Sequence, residues 1–174
     1  MRRVVFLRGV NVGKANRCQP ALIASQLSRL GLINIGAAGT FVVRKDVSES
    51  ALRAAIAKKL PFKCEIMICP GRDIIKLVSQ DPFSGQASSG EVTQFVSVLA
   101  KSLPLPLNLP HCLPSPEDWL LKIITVEGRF IFGVYRRHMK AIGYLGKIEK
   151  LSGVRATTRS WNTIQKIAQI LGQA

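Results

Sequence analysis

The chain has 174 residues, 47% of them apolar, and its 25 Lys and Arg against 10 Asp and Glu leave a formal charge of +15. So apolar a composition excludes an unfolded chain, and the length suffices for one sizeable core or two small ones. The apolar run behind Met1-Arg2-Arg3 stops at Arg8, too short for a secretory leader, and the longest uncharged stretch, residues 102–116, carries five prolines and forms no spanning helix. Four scattered cysteines, Cys18, Cys64, Cys69 and Cys112, make no disulfide framework. These features lead us to expect a cytoplasmic protein with free thiols and no membrane partner.

In chain order, residues 3–8 read as a buried strand that ends in the turn-prone Gly9, Asn11 and Gly13. The spacing of Leu22, Ile23, Leu27 and Leu30 predicts a helix from Pro20 to Gly31. Ile33 and Ile35, then Phe41 and Val43, alternate around Ala38-Gly39 as a hairpin does. Ser48 is placed to cap a second helix bearing Leu52, Ile56 and Leu60, Pro61 closes it, and residues 64–69 read as a strand. The order is β-α-β-β-α-β, a ferredoxin-like arrangement, over a subdomain at 1–80.

A second, related α+β subdomain is expected at 91–174. A short helix at residues 74–79 and a small-residue loop at 84–90 lead up to it, and it opens with a strand at 92–99 and an extended connector at 103–116. Strands at 119–126 and 129–135 then pair across Glu127-Gly128. Helices near 144–151 and 158–171 close the chain, the latter with Trp161, Ile164, Ala168 and Leu171 on one face. The fold class is therefore α+β with two subdomains.

Charge is distributed unevenly. Residues 1–45 hold eight basic and no acidic side chains, and residues 136–174 hold eight basic against Glu149 alone. Two cationic ends brought together would attract polyanions.

Two motifs stand out. Arg8-Gly9-Val10-Asn11-Val12-Gly13-Lys14-Ala15-Asn16 follows the first strand, and Ala156-Thr157-Thr158-Arg159-Ser160-Trp161-Asn162-Thr163 precedes the last helix. Together they resemble the amino-terminal and carboxy-terminal signatures, roughly R-G-I-N-V-G-G-x-N and A-T-x-R-N-W-N-T, of the bacterial domain of unknown function 1697 family. The chain departs from that family where Ala37-Ala38-Gly39-Thr40 replaces a Q-S-G-N-like run, where Gly146-Lys147-Ile148 replaces a Ser-Lys-Leu-like run, and at Ser160. The resemblance implies no established activity.

Chemically, the first motif is glycine-rich between a strand and a helix, as phosphate-cradling loops are. It is neither a Walker loop, since the spacing is one residue short and Ala15 replaces Ser or Thr, nor a dinucleotide fingerprint. The alternative is a tight turn with Asn11 bonding its own backbone. In the second motif Thr157 or Thr158 would cap the helix and Arg159 would lie in its first turn, where an anion or a carboxylate such as Glu149 would offset its charge. The candidate anion-binding set is Arg8, Asn11, Gly13, Lys14, Arg17, Lys147 and Arg159, with Arg8, Lys14 and Arg159 expected around one anion.

No metal site or cofactor is expected, and candidate catalytic constellations are thin, so the catalytic residues stay unknown. The two histidines, His111 and His138, lack an evident nucleophile, and Cys64 and Cys69 fall on opposite faces of one strand. The leading reading is a basic binding module for a polyanion, nucleic acid backbone above all, or for a phosphorylated ligand. The alternatives are an enzyme acting on a small phosphorylated or anionic substrate in a cleft between the subdomains, and a structural or protein-interaction domain.

Overall fold

The computed structural model of the chain describes residues 1–86 and 90–173. They fall into two compact units, one of Met1–Gln80 with Gln165–Ala174 and one of Asp81–Ile164. The C-terminal helix α6 (Trp161–Gly172), expected wholly within the second subdomain, starts in the second unit and belongs to the first from Gln165 onward. Among the described residues no helix is long and apolar enough to cross a membrane.

In the first unit β1 (Arg3–Leu7), α1 (Pro20–Gln26), β2 (Leu32–Asn34), β3 (Thr40–Val43), α2 (Glu49–Ala57) and β4 (Ile66–Pro70) follow in the expected β-α-β-β-α-β order. The strands form one antiparallel sheet, β2-β3-β1-β4. β1 lies inside it, and Val4, Val5, Phe6 and Leu7 are all fully buried, which is why its sequence is an unbroken apolar run. β3 is buried at every position for the same reason, so the alternation expected around Phe41 and Val43 is absent.

The core joins Val5, Leu7, Phe41 and Val43 of the sheet to Ile23 and Ala24 of α1 and to Leu52 and Ile56 of α2. Each such fully buried Leu, Ile, Val or Phe side chain contributes about 1.5–3 kcal/mol. α1 is shorter than its apolar spacing suggests: a 3-10 turn takes over at Ser28–Leu30 and Gly31, at φ 72°, ends it. Ser48 caps α2 as expected, its Oγ accepting the Ala51 N–H at 3.3 Å.

Helix α3 (Gly71–Gln80) starts directly off β4, three residues before the expected Ile74. The Gly71 N–H donates to the Arg2 carbonyl at 2.9 Å, and the Arg2 guanidinium donates to the Leu171 carbonyl, which ties the two chain ends together. A Cβ at Gly71 would lie 2.9 Å from Leu171 Cδ2, so α6 packs where a side chain would otherwise stand.

The second unit holds β5 (Val92–Leu99), β6 (His111–Leu113), β7 (Leu121–Glu127), β8 (Phe130–Arg136), α4 (Met139–Leu145), α5 (Lys147–Ser152) and β9 (Ala156–Ser160). Its antiparallel sheet runs β6-β7-β8-β5-β9 around a core of Phe95, Leu99, Leu121, Ile123, Ile131 and Ile148. Strands β5, β7, β8 and β9 pair with one another as β1, β2, β3 and β4 do, so the two units repeat one topology. In the second copy residues 100–120, including the short edge strand β6, take the place in chain order that α1 has in the first. The prolines of that segment forbid a helix and still permit a three-residue edge strand.

Three expectations need correction here. The helix at 144–151 is two short helices that meet at Gly146. The connector contains β6. Residues 156–160 are strand, because they complete the sheet beside β5, and the last helix begins only at Trp161. Of the small-residue loop at 84–90, residues 87–89 lie outside the described residues.

Candidate functional site

The first motif is a loop shaped by its backbone. Gly9, Asn11, Gly13 and Asn16 all take positive φ, between 50° and 68°, and each is a residue that tolerates the left-handed region. The Asn11 carboxamide then fastens the loop. Its Nδ2 donates to the carbonyls of Cys18 at 3.0 Å and Ala37 at 2.8 Å, and its Oδ1 accepts the Cys18 N–H at 3.0 Å. Asn16 Nδ2 donates to the Gly9 carbonyl at 3.2 Å, and the Asn11 N–H to the Asn16 carbonyl at 3.1 Å. Asn11 therefore tethers the loop to the β2–β3 hairpin, and its side chain is committed inward.

With the loop so fixed, Lys14 and Arg17 are exposed and neither side chain has a partner among the described residues. Arg8 is half-buried, and its N–H donates to the Glu65 carbonyl at 3.0 Å. That bond joins the loop to the chain entering β4, so Lys63 stands at the same end of the sheet. The connection from α2 delivers Lys58 and Lys59 toward that end as well. In the first unit fifteen basic residues face four acidic ones, a net charge of +11, against +4 in the second.

Asp46 pairs with the Met1 amino group at 2.7 Å, Glu49 with Arg53 at 2.8 Å and Asp73 with Arg72 at 3.8 Å. The Met1 ammonium, through its hydrogen bond and its charge, holds the Asp46 carboxyl below the usual range. Cys18 and Cys64 pack against the core beneath the loop. Burial pushes both thiols up, and at Cys64 the Cys18 thiol adds to the rise.

The second motif does not stand as its sequence suggested. Arg159 lies within β9, only 8% exposed, and donates to Thr157 Oγ1 at 2.8 Å and to the Thr158 carbonyl at 2.9 Å. Burial lowers it to about 10. The helix cap is Ser160, whose Oγ accepts the Thr163 N–H at 3.3 Å, and neither Thr157 nor Thr158 caps it. Thr158 Oγ1 instead bonds Ser97 Oγ at 2.6 Å across the β5–β9 pair. Trp161 is buried against Phe83 and Phe132, with ring centroids 5.2 and 6.3 Å away. Of the remaining predicted residues, Lys147 is exposed at the start of α5 with its Nζ 4.5 Å from the Tyr144 ring.

Sequence reasoning missed a basic and aromatic cluster in the second unit. Arg136 lies 4.3 Å over the Trp119 ring and Lys122 lies 4.5 Å from it, beside Arg137, His138 and Lys140. The run Arg136-Arg137-His138-Met139-Lys140 was its one signal in the sequence. No group of three His, Cys, Asp or Glu that could hold a metal ion occurs among the described residues.

Comparison with solved structures places this α+β architecture beside a conserved bacterial protein, SP0830 from Streptococcus pneumoniae. The TM-score is 0.63 at 17% identity, over 99% of this chain and 98% of that one. That likeness is one of fold. Residues 1–108 match the family described as protein of unknown function (DUF1697), and the chain belongs to that family. The second motif lies beyond the matched residues. Among curated proteins nothing matches.

Proposed function

We propose that this protein binds polyanions, nucleic acid in particular, through the phosphate backbone and with little regard to sequence. The observation that carries the reading is the charge of the first unit, +11, together with the partnerless Lys14 and Arg17 on a loop held rigid by Asn11. Cations fixed in place bind phosphates at a smaller entropic cost than cations on a mobile loop. Lys58, Lys59 and Lys63 extend the surface at the same end of the sheet.

The mode of contact follows from what the unit lacks. Its aromatic residues are Phe6, Phe41 and Phe62, and the first two are fully buried, so the described sheet offers no platform on which bases could stack. Asn11 and Gly13 act here by shaping the loop, and Arg8, Lys14 and Arg17 supply the charge. Arg159, buried in β9, takes no part in this surface.

A Lys14→Glu, Arg17→Glu, Lys63→Glu variant tests the reading in a fluorescence-anisotropy titration with a labelled oligonucleotide. It should lose at least about tenfold in affinity, with an unchanged melting temperature because exposed charges contribute little to stability. Unchanged affinity in the folded triple variant would refute the assignment of this surface.

A further inference from the structure

We infer that the second unit carries a separate binding site for a compact phosphate ester, in a groove formed by the end of its sheet. Three adjoining clefts, of about 230, 440 and 480 Å³, make up the groove. The first and second share Gly90 and Arg137, and the second and third share Leu120, Arg136 and His138, so the lining is continuous. Everything that forms it belongs to the second unit.

The middle cleft is lined by Arg136, Arg137 and His138 together with Glu91 and Leu120. Arg136 is held in place twice, its Nε donating to the Trp119 carbonyl at 2.8 Å and its guanidinium lying over the Trp119 ring. A guanidinium oriented in this way loses little freedom when it takes a phosphate. Arg137 beside it has no side-chain partner among the described residues. His138 caps α4, and its Nδ1 accepts the Lys140 N–H at 3.2 Å, which leaves the ring N–H on Nε2. Two arginines and a histidine thus line the stretch that the clefts share.

The narrow end of the groove is polar. Thr93, Gln94, Ser160 and Asn162 line it with Arg137, and the carboxamides of Gln94 and Asn162 have no partner among the described residues. A carboxamide both donates and accepts, so this pair suits an organic group that does the same, such as a sugar's hydroxyls or the edge of a base. The carboxylates Glu91, Glu117 and Asp118 also line the groove. Glu91 lines the same cleft as the two arginines, and Glu117 and Asp118 line the outer one, so together they oppose a polyanion laid along the groove's length. The ligand class is therefore a phosphomonoester with a polar organic part, and the site is independent of the cationic surface of the first unit.

Isothermal titration calorimetry on the full chain, with inorganic phosphate, adenosine monophosphate and glucose phosphate, each ester beside its unphosphorylated parent, tests this. At least one ester should bind more than about tenfold tighter than its parent, and Arg137→Ala should remove at least that factor. Gln94→Ala with Asn162→Ala should weaken the ester while leaving inorganic phosphate unchanged. Binding of adenosine monophosphate alone or of glucose phosphate alone identifies the organic part as base or sugar. The Lys14→Glu, Arg17→Glu, Lys63→Glu variant should bind the ester as the parent protein does, so this site and the polyanion surface fail separately. No ester binding at millimolar concentration, or ester binding untouched by Arg137→Ala in protein that melts normally, would overturn the proposal.

Discussion

Replacing Asn11 by Ala should destabilise the first unit by about 2–4 kcal/mol. The three side-chain hydrogen bonds at 2.8–3.0 Å are each worth about 1 kcal/mol, reduced because Asn11 is half-exposed and water replaces part of them. Asn11 also sits at φ 55°, where Ala pays about 1 kcal/mol more than Asn. Asn11→Gly separates the two effects, since it relieves the backbone cost without restoring a bond, and it should recover about 1 kcal/mol. Asn11→Asp keeps the acceptor for the Cys18 N–H but sets a carboxylate oxygen against two carbonyls, so it should be no better than Ala. Urea unfolding followed by circular dichroism reads the difference, with a midpoint about 1–2 M lower for Asn11→Ala. A shift below about 0.3 M would refute the view that Asn11 is the clamp, and equal stability of the Ala and Gly variants would refute the backbone cost.

Gly133→Ala should be more damaging still, because the new Cβ would lie 2.4 Å from the Lys122 carbonyl oxygen and 2.6 Å from the Phe95 ring; a loss of more than about 3 kcal/mol in the same assay is expected, and a folded variant of normal stability would contradict the packing described. Burial raises Cys18 and Cys64, so both should react with iodoacetamide more slowly than free cysteine at neutral pH and speed up only as pH rises beyond the ordinary thiol range, which peptide mass spectrometry of alkylated protein can follow. Raised thiols bind their protons more tightly in the folded state, so their contribution to stability is present below the ordinary thiol range and declines above it. Asp46 has the opposite sign: its lowered carboxyl contributes above the ordinary carboxylate range and loses that contribution as acid protonates it, and Asp46→Asn should flatten this acid limb of the melting curve.

Much of the first unit was legible because its signals are local. Pro20, Ser48 and Gly31 mark helix ends by their own backbone chemistry, and each does so in the structure. The strand at Ala156–Ser160 was not legible, because Thr-Thr-Arg-Ser carries helix-cap signals and only pairing with Val96–Leu99 makes it a strand. Arg159 was misplaced for the same reason: charge argues for exposure, and the partners that let it be buried, Thr157 and Thr158, act only once the strand exists. The first motif's glycines and asparagines were correctly read as a turn-building set, yet the reach of Asn11 to Ala37 depends on the hairpin lying beside the loop. The groove of the second unit was invisible in sequence, since Gln94, Trp119, Arg137 and Asn162 meet only through strand pairing.

The polyanion reading is tested most directly by the salt dependence of oligonucleotide affinity. Anisotropy titrations of an unstructured DNA strand should give a linear fall of log affinity with log salt, losing about 20–50-fold between about 50 and 200 mM if three or four cations contact phosphates. Strands of different sequence should give the same curve, and the Lys14→Glu, Arg17→Glu, Lys63→Glu variant a shallower one. Affinity that does not change with salt, or no binding at micromolar protein in low salt, would contradict it.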